Sequence, residues 1–370
     1  MSLDFDDLRT AQRDCQDRSV PPDVSEDVSS TDSTHTGPVP TITVRPLRIR
    51  QIDEDWVRFA LDNGGSWRSE RGHIRMTRLR LLLKGRLFAF EAFAEDDAGQ
   101  RRKIAQCILS VRGRHIAFED GLQIAAGYEA HRPAIVAQIL PHLPAGRISY
   151  GWTWSLEATP CEDFRRVPGT SGHHCRDIIV HSVHLGDWPC WDSYYRAISN
   201  NVRRNVKRAE QSDPPVTVVR AKGLAAIRLI PDLVRMRQQT LDRVDMEHAA
   251  WRMALSYVVN FLTMPNACHI AVARQGGMPL AALFGYKFGS TFYYWQGGSI
   301  ESSNGASWKL LTDTLAYWHQ KHPKGQFIMG YFDDSLPGYR REGLHRQRES
   351  LRKSDYTTRL ISFDWTPATT

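Results

Sequence analysis

A run of small polar residues, Ser302-Ser303-Asn304-Gly305-Ala306-Ser307, stands directly before a stretch in which Trp308, Leu311, Leu315 and Trp318 recur every three or four positions. That spacing makes one apolar helical face. A helix start offers unpaired N–H groups and the positive end of its dipole, and small residues let backbone approach a ligand closely. The run therefore suits a phosphate-bearing group. Ser, Asn and Gly before a helix are also ordinary capping residues, so the pattern alone carries both readings. A second candidate is WPCWDSYYRAISNNVRRNVKRAEQ, from Trp188. It gathers Arg196, Arg203, Arg204, Lys207 and Arg208 behind Trp191, Tyr194 and Tyr195, and reads either as a clamp for the phosphates of a cofactor or RNA or as a solvated basic face. A third is dense in metal-ligand types: Cys161, His173, His174, Cys175, His181, His184 and Cys190. Its spacings fit no standard zinc pairing, and RDIIVHSVHL alternates like a strand that puts His181 and His184 on opposite faces, so no metal is expected.

These residues need elements to hold them. HIAVAR (from His269), Leu280 to Phe288 and Thr291 to Trp295 are apolar or aromatic runs parted by glycine turns, which predicts antiparallel strands. The helix after Ser307 stops at Gly325, and QFIMGYF predicts a further strand ending at Asp333-Asp334. Asp213-Pro214-Pro215 ends the basic helix and VTVVRA begins a strand. Leu224 to Leu241 and Ala249 to Met264 then read as helices, with Arg243 to His248 as the turn between them. Upstream, residues 86–95, Lys103 to Val111 and Ala117 to Ile124 read as strands, Arg132 to Leu143 as a helix, and Ile148 to Trp154 as another strand. Both regions thus run strands, glycine, helix, strand, an order that suggests tandem duplication.

A chain of 370 residues suggests two domains. Residues 1–42 hold three Arg against nine Asp and Glu, so this tail carries −6 and the remainder +13. Rich also in Ser, Thr and Pro, the tail is expected to be disordered. The basic remainder favours an anionic ligand. No apolar run of about 18 residues predicts a membrane span, and the N-terminus lacks a secretory pattern. The six cysteines are scattered without a CxxC pair, which suits a reducing compartment. A cytoplasmic location is expected.

WDSYYRAISNNVRRNVKRAEQ resembles the aromatic-then-basic helix of the FemAB-like acyltransferases of the GNAT superfamily, and within them the CelD-type, or cellulose-biosynthesis, acetyltransferases. HIAVARQGGMPLAALFGYKFGSTFYYWQGG resembles the strand block of that group, SSNGASWKLLTDTLAYWHQKH its glycine loop and helix, and FDDSLPGYRREGL its terminal segment. The resemblance covers roughly residues 188–360. Two departures mark this chain. No Gln or Arg stands at the usual offset before Gly305, and Arg340 stands where Lys is usual.

The resemblance implies an α/β fold with a mixed sheet and two GNAT-like lobes in tandem, at 43–187 and 215–370, joined by a basic helix at 188–214. It implies transfer of an acyl group from acetyl-CoA or another acyl-CoA, a co-substrate rather than a tightly held cofactor, to an amine of a small molecule, amino sugar or amino-acid derivative. The pantetheine arm would lie beside Tyr293 and Trp295, with the diphosphate at the amides of Asn304, Gly305, Ala306 and Ser307 and Arg340 as an anchor. A backbone N–H of that strand would polarise the thioester carbonyl. Glu247, His248, Asp333 or Asp334 would take the amine's proton, and Tyr339 would protonate the leaving thiolate. Two further readings come with this fold: an aminoacyl transferase using charged tRNA, and a non-catalytic partner in polysaccharide or envelope assembly.

Overall fold

The alternating run at 86–95 forms a strand, and with its neighbours it builds a sheet broader than either lobe alone. The computed structural model describes residues 40–82, 84–95, 99–156, 158–243, 249–301, 304–332 and 345–367. Among these, twelve strands make one mixed sheet. In chain order they are β1 (Thr41–Leu47), β2 (Arg86–Glu95), β3 (Arg101–Arg112), β4 (His115–Ile124), β5 (Gly146–Tyr150), β6 (Thr170–His184), β7 (Thr217–Lys222), β8 (Cys268–Gln275), β9 (Met278–Phe288), β10 (Thr291–Ser299), β11 (Gln326–Phe332) and β12 (Ser354–Trp365). The helices are α1 (Glu54–Asp62), α2 (Arg71–Leu81), α3 (Arg132–Ile139), the single turn α4 (Glu162–Arg165), α5 (Trp191–Ala197), α6 (Asn200–Gln211), α7 (Ile230–Asp242), α8 (Ala250–Thr263) and α9 (Ala306–Lys321).

Across the sheet the order is β1-β2-β3-β4-β5-β12-β6-β11-β10-β9-β8-β7. Read inward from either edge, the plan repeats. Four strands pair antiparallel, then a parallel strand joins: β5 beside β4 and β11 beside β10. Each parallel pair is brief, His115–Ala117 against Arg147–Ser149 and Thr291–Tyr293 against Gln326–Ile328, and then the strands part. Gly121 and Gly297 each stand four residues past the last paired residue of their strand. Gly151 and Gly330 each stand two past theirs, at φ 84° and 109°. This is the duplicated order expected from sequence, now in matching register.

The halves are not consecutive in the chain. The last strand, β12, falls within the expected lobe at 215–370, yet it pairs with β5 as well as β6. Its residues Ile361, Phe363 and Trp365 complete the core of the first half, with Phe90, Leu109 and Phe118 of the strands and Ile135, Val136 and Ile139 of α3. In the second half β8 and β9 read as nearly continuous apolar runs because both faces are covered. One face packs Leu233, Met236 and Phe261 of α7 and α8. The other packs Val206 and Ala209 of α6 with Leu315 and Trp318 of α9. Each such fully buried large side chain contributes about 1.5–3 kcal/mol of transfer free energy.

Three local outcomes differ from the sequence reading. The basic helix is broken at Ile198, whose extended backbone (ψ 159°) ends α5. Ser199 then caps α6 by accepting from the Val202 amide at 3.4 Å. The expected tail at 1–42 ends earlier: residues 1–39 lie outside the described residues, and β1 already begins at Thr41. The cysteines, read as scattered and suited to a reducing compartment, include one pair among the described residues. Cys161 and Cys175 form a disulfide with a Cα–Cα distance of 6.5 Å, because the chain between them folds back and proximity in space does not follow from spacing. The histidines of that stretch have separate partners: His173 the Phe164 carbonyl, His184 the Asp187 carboxylate and His181 the Arg348 guanidinium. No group of three or more His, Cys, Asp or Glu that could hold a metal occurs among the described residues.

Candidate functional site at the parted strands

The polar run before α9 is set by backbone geometry. Asn304 (φ 47°) and Gly305 (φ 81°) are both left-handed, a turn that glycine makes at least cost. A Cβ on Gly305 would also collide with the Asn205 carbonyl of α6, so the loop is pressed against that helix. Gly305 occupies the N-cap and has no side chain to cap with, and the first intrahelical bond runs from the Lys309 amide to the Gly305 carbonyl at 3.0 Å. Lys309 ties the two helices through Glu210 (2.7 Å) and Asp313 (3.0 Å). Burial opposes its charge, but these carboxylates outweigh it and hold the ammonium above its usual range. Ala306 is buried, Gly305 and Ser307 are half-buried, and Asn304 is exposed.

Beside this terminus β10 leaves β11. The strand bulges between Tyr294 and Gln296, and residues 294–299 are half-exposed. Tyr293, the last paired residue, turns its side chain into the core, 6.0 Å from Trp152, where burial pushes its phenol pKa up. Its backbone therefore marks the opening while its ring does not line it. Trp295 lies in an aromatic wall with Trp67 (5.5 Å), Trp154 (5.1 Å) and Tyr286 (5.9 Å). Tyr257 of α8 donates its hydroxyl hydrogen to Gln296 Oε1. Arg237 and Arg243 hold the Gly297 and Ser299 carbonyls at 3.3 and 2.7 Å. The far part of β10 is thus tethered to α7 and α8, which leaves the gap toward β11.

On the other rim, Arg348 donates from Nη1 to the Tyr331 carbonyl at 2.8 Å and faces His181 Nδ1 at 3.0 Å. Burial and the cations Arg348 and Lys353 push His181 down to about 3. The imidazole is therefore neutral at pH 7. Its Nδ1 lone pair accepts from Arg348, and its Nε2 lies 3.5 Å from Asp355 Oδ1.

The matching gap in the first half is occupied by its own side chains. The Tyr150 hydroxyl accepts from the Leu122 amide at 3.3 Å and from Arg132 Nη1 at 2.8 Å, while Arg132 Nε reaches Asp163 at 3.2 Å. Asp120, on the parted stretch of β4, accepts from the Ser66 amide (2.8 Å) and Ser69 Oγ (2.7 Å). These bonds fix the turn that carries Trp67, which stacks on Tyr286 at 3.8 Å. Burial raises the Asp120 pKa even so. A cavity of about 580 Å³ lies between the two halves, walled by Ser66, Trp152 and Trp154 on one side and Phe288, Thr291 and Tyr293 on the other.

Of the residues singled out from sequence, the structure brings Asn304, Gly305, Ala306 and Ser307 to one helix start and places Trp295 on the neighbouring strand. Glu247, His248, Asp333, Asp334, Tyr339 and Arg340 lie outside the described residues. Sequence reasoning missed Asn205, Trp67, Tyr257 and Arg348. Only Asn205 carried a signal, as an uncharged interruption in the basic face of α6.

Residues 196–319 match a family model described as acetyltransferase (GNAT) domain. That span runs from the end of α5 to α9 and contains the helix start, the bulged strand and α7 and α8. No curated protein matches the chain. Among solved structures, FemX aligns with a TM-score of 0.63 at 9% identity, over 87% of this chain and 97% of its own. A conserved protein of unknown function from Bacteroides thetaiotaomicron aligns at 0.55 and 11% identity, over 88% of this chain and 100% of its own. A tandem GNAT protein from the clavulanic acid biosynthesis pathway aligns at 0.51 and 11% identity, over 89% and 100%. At these identities the likeness is one of fold, and it supports a mixed α/β sheet of the FemX and tandem-GNAT kind.

Proposed function

We propose that the second half of the sheet is an acyl-CoA-dependent N-acyltransferase. The observation that carries this reading is the left-handed glycine N-cap of α9 at Gly305 beside the parted strands β10 and β11. The diphosphate of the donor sits at the amides of Asn304 to Ser307, where the helix dipole favours negative charge. The pantetheine arm enters the gap along β10, past Trp295. A β10 amide left unpaired by the parting of the strands donates to the thioester oxygen as charge develops on it.

The acceptor amine attacks the thioester carbon with its lone pair. A tetrahedral adduct forms, the C–S bond breaks, and the sulfur leaves with its electron pair. Glu247, His248, Asp333 or Asp334 takes the proton that the amine sheds, and Tyr339 supplies one to the thiolate. Arg340 serves as a fixed cationic anchor, since its guanidinium does not deprotonate. The likeness of residues 188–360 to the CelD-type group points the same way. The acceptor is a small amine, amino sugar or amino-acid derivative.

The test is a thermal-shift series with acetyl-CoA, longer acyl-CoAs and charged tRNA. Stabilisation by an acyl-CoA that is lost in Gly305→Glu is the expected result. Salt-sensitive binding of tRNA alone would move the donor to an aminoacyl-tRNA, and no response to either would point to a non-catalytic partner.

A further inference from the structure

Arg348 is 8% exposed, yet among the described residues no carboxylate lies within ion-pairing distance of it. Asp355 reaches His181 rather than the guanidinium. The contrast with Arg132, also buried in the first half, is direct: that residue has Asp163 at 3.2 Å. Burial pushes Arg348 down to about 10, which still leaves it cationic at neutral pH. A buried cation held only by neutral partners is costly, and an apolar side chain of the same length would fill the space at lower cost.

Its placement says what the charge faces. The Tyr331 carbonyl that it binds belongs to the part of β11 that β10 has left. A Cβ at Gly330 would come within 2.8 Å of Arg348 Nη2 and 3.2 Å of the Trp154 ring, so glycine at φ 109° is what leaves room for the guanidinium. A guanidinium has five N–H bonds. The two on Nη1 are engaged by His181 and Tyr331. Those on Nε and Nη2 have no hydrogen-bond partner among the described residues, and together they form the planar fork that matches a carboxylate.

Resting on the acyl-transfer reading of this gap, we infer that Arg348 is a carboxylate receptor at the mouth of the β10–β11 opening, so that one reactant carries a carboxylate close to the reacting carbon. The carboxylate belongs either to the acceptor, as in an amino acid, or to the acyl group, as in a dicarboxylic monothioester. His181 is a positioning residue: its neutral ring holds Nη1 and fixes the fork without cancelling the charge.

The experiment titrates the full chain, by thermal shift, with N-acetyl amino acids beside their carboxamides, and with succinyl-CoA beside acetyl-CoA. At least one carboxylate probe should bind tenfold or more tightly than its uncharged counterpart. Arg348→Met should erase that ratio while leaving the unliganded melting temperature unchanged or raised, and Arg348→Lys should restore part of it. A preference among amino acids assigns the carboxylate to the acceptor, and one for succinyl-CoA assigns it to the donor. The inference is overturned if no carboxylate preference exists, or if it survives in Arg348→Met. Acetyl-CoA binding in the same titrations keeps the two ideas separable. If it persists without a carboxylate preference, only the receptor falls; if it is absent while the preference holds, only the acyl-CoA donor falls.

Discussion

The two halves of the sheet share a plan and use it differently. Each ends a three-residue parallel pairing in a gap between strands, with glycines at matching positions. In the first half the gap is satisfied internally: the Tyr150 hydroxyl takes the Leu122 amide and Arg132, Arg132 has Asp163, and Asp120 holds the Ser66 turn. In the second half, β10 is half-exposed past Tyr293, the adjoining helix starts at a left-handed glycine, and no carboxylate among the described residues pairs with the buried Arg348. The same geometry therefore closes on its own side chains in the first half, and in the second leaves the half-exposed stretch of β10 that the proposed transfer would use. The first half still serves the second, since its closed gap fixes the turn that places Trp67 against Trp295 and Tyr286.

Substitutions can break this contrast. The largest effect is expected from Gly305→Glu, which strains a left-handed position, collides with the Asn205 carbonyl and brings a negative charge to the α9 start. Acyl-transfer kcat/KM should fall by about a hundredfold or more, as expected for a lost charge-binding site. Trp67→Ala comes next. Removing a large side chain that is 3% exposed should cost about 3–5 kcal/mol of stability, read from a urea midpoint, and should weaken acceptor KM more than acyl-CoA binding. Tyr150→Phe should cost about 1–3 kcal/mol, because it leaves buried donors without their acceptor. Its kcat/KM should change by less than about threefold, within the range of a surface-like effect on the barrier.

The smallest effect concerns pH. His181 titrates near 3 in the folded chain but near 6.5 when unfolded, so the unfolded chain binds the proton first as pH falls. The stability associated with the neutral ring is present above about 6.5 and is lost between about 6.5 and 3, at up to about 1.4 kcal/mol per pH unit. Between pH 7 and 5, His181→Asn should therefore lose less stability than the parent chain in matched urea melts.

Much of the second half was legible in the sequence. The runs at His269 to Trp295 and the Trp308-to-Trp318 stripe gave β8, β9, β10 and α9 because period and glycine turns agree there. The elements missed include α1 and α2, for which no element was read between Thr43 and the strand at 86, and two strands whose partners are remote. β1 is a largely exposed edge strand of seven residues, and β12 owes its place to β5, more than 200 positions earlier. The helix-start loop could be found because its chemistry is local. Arg348 could not, because what marks it is the lack, among the described residues, of a carboxylate paired with it in space. The cysteine pair 161–175 was hidden for the same reason.

Isothermal titration of the intact chain with acetyl-CoA tests the contrast between the halves most directly. One equivalent should bind, with binding lost in Gly305→Glu and kept in Tyr150→Phe. Two equivalents, or binding that survives Gly305→Glu and disappears in Tyr150→Phe, would contradict it.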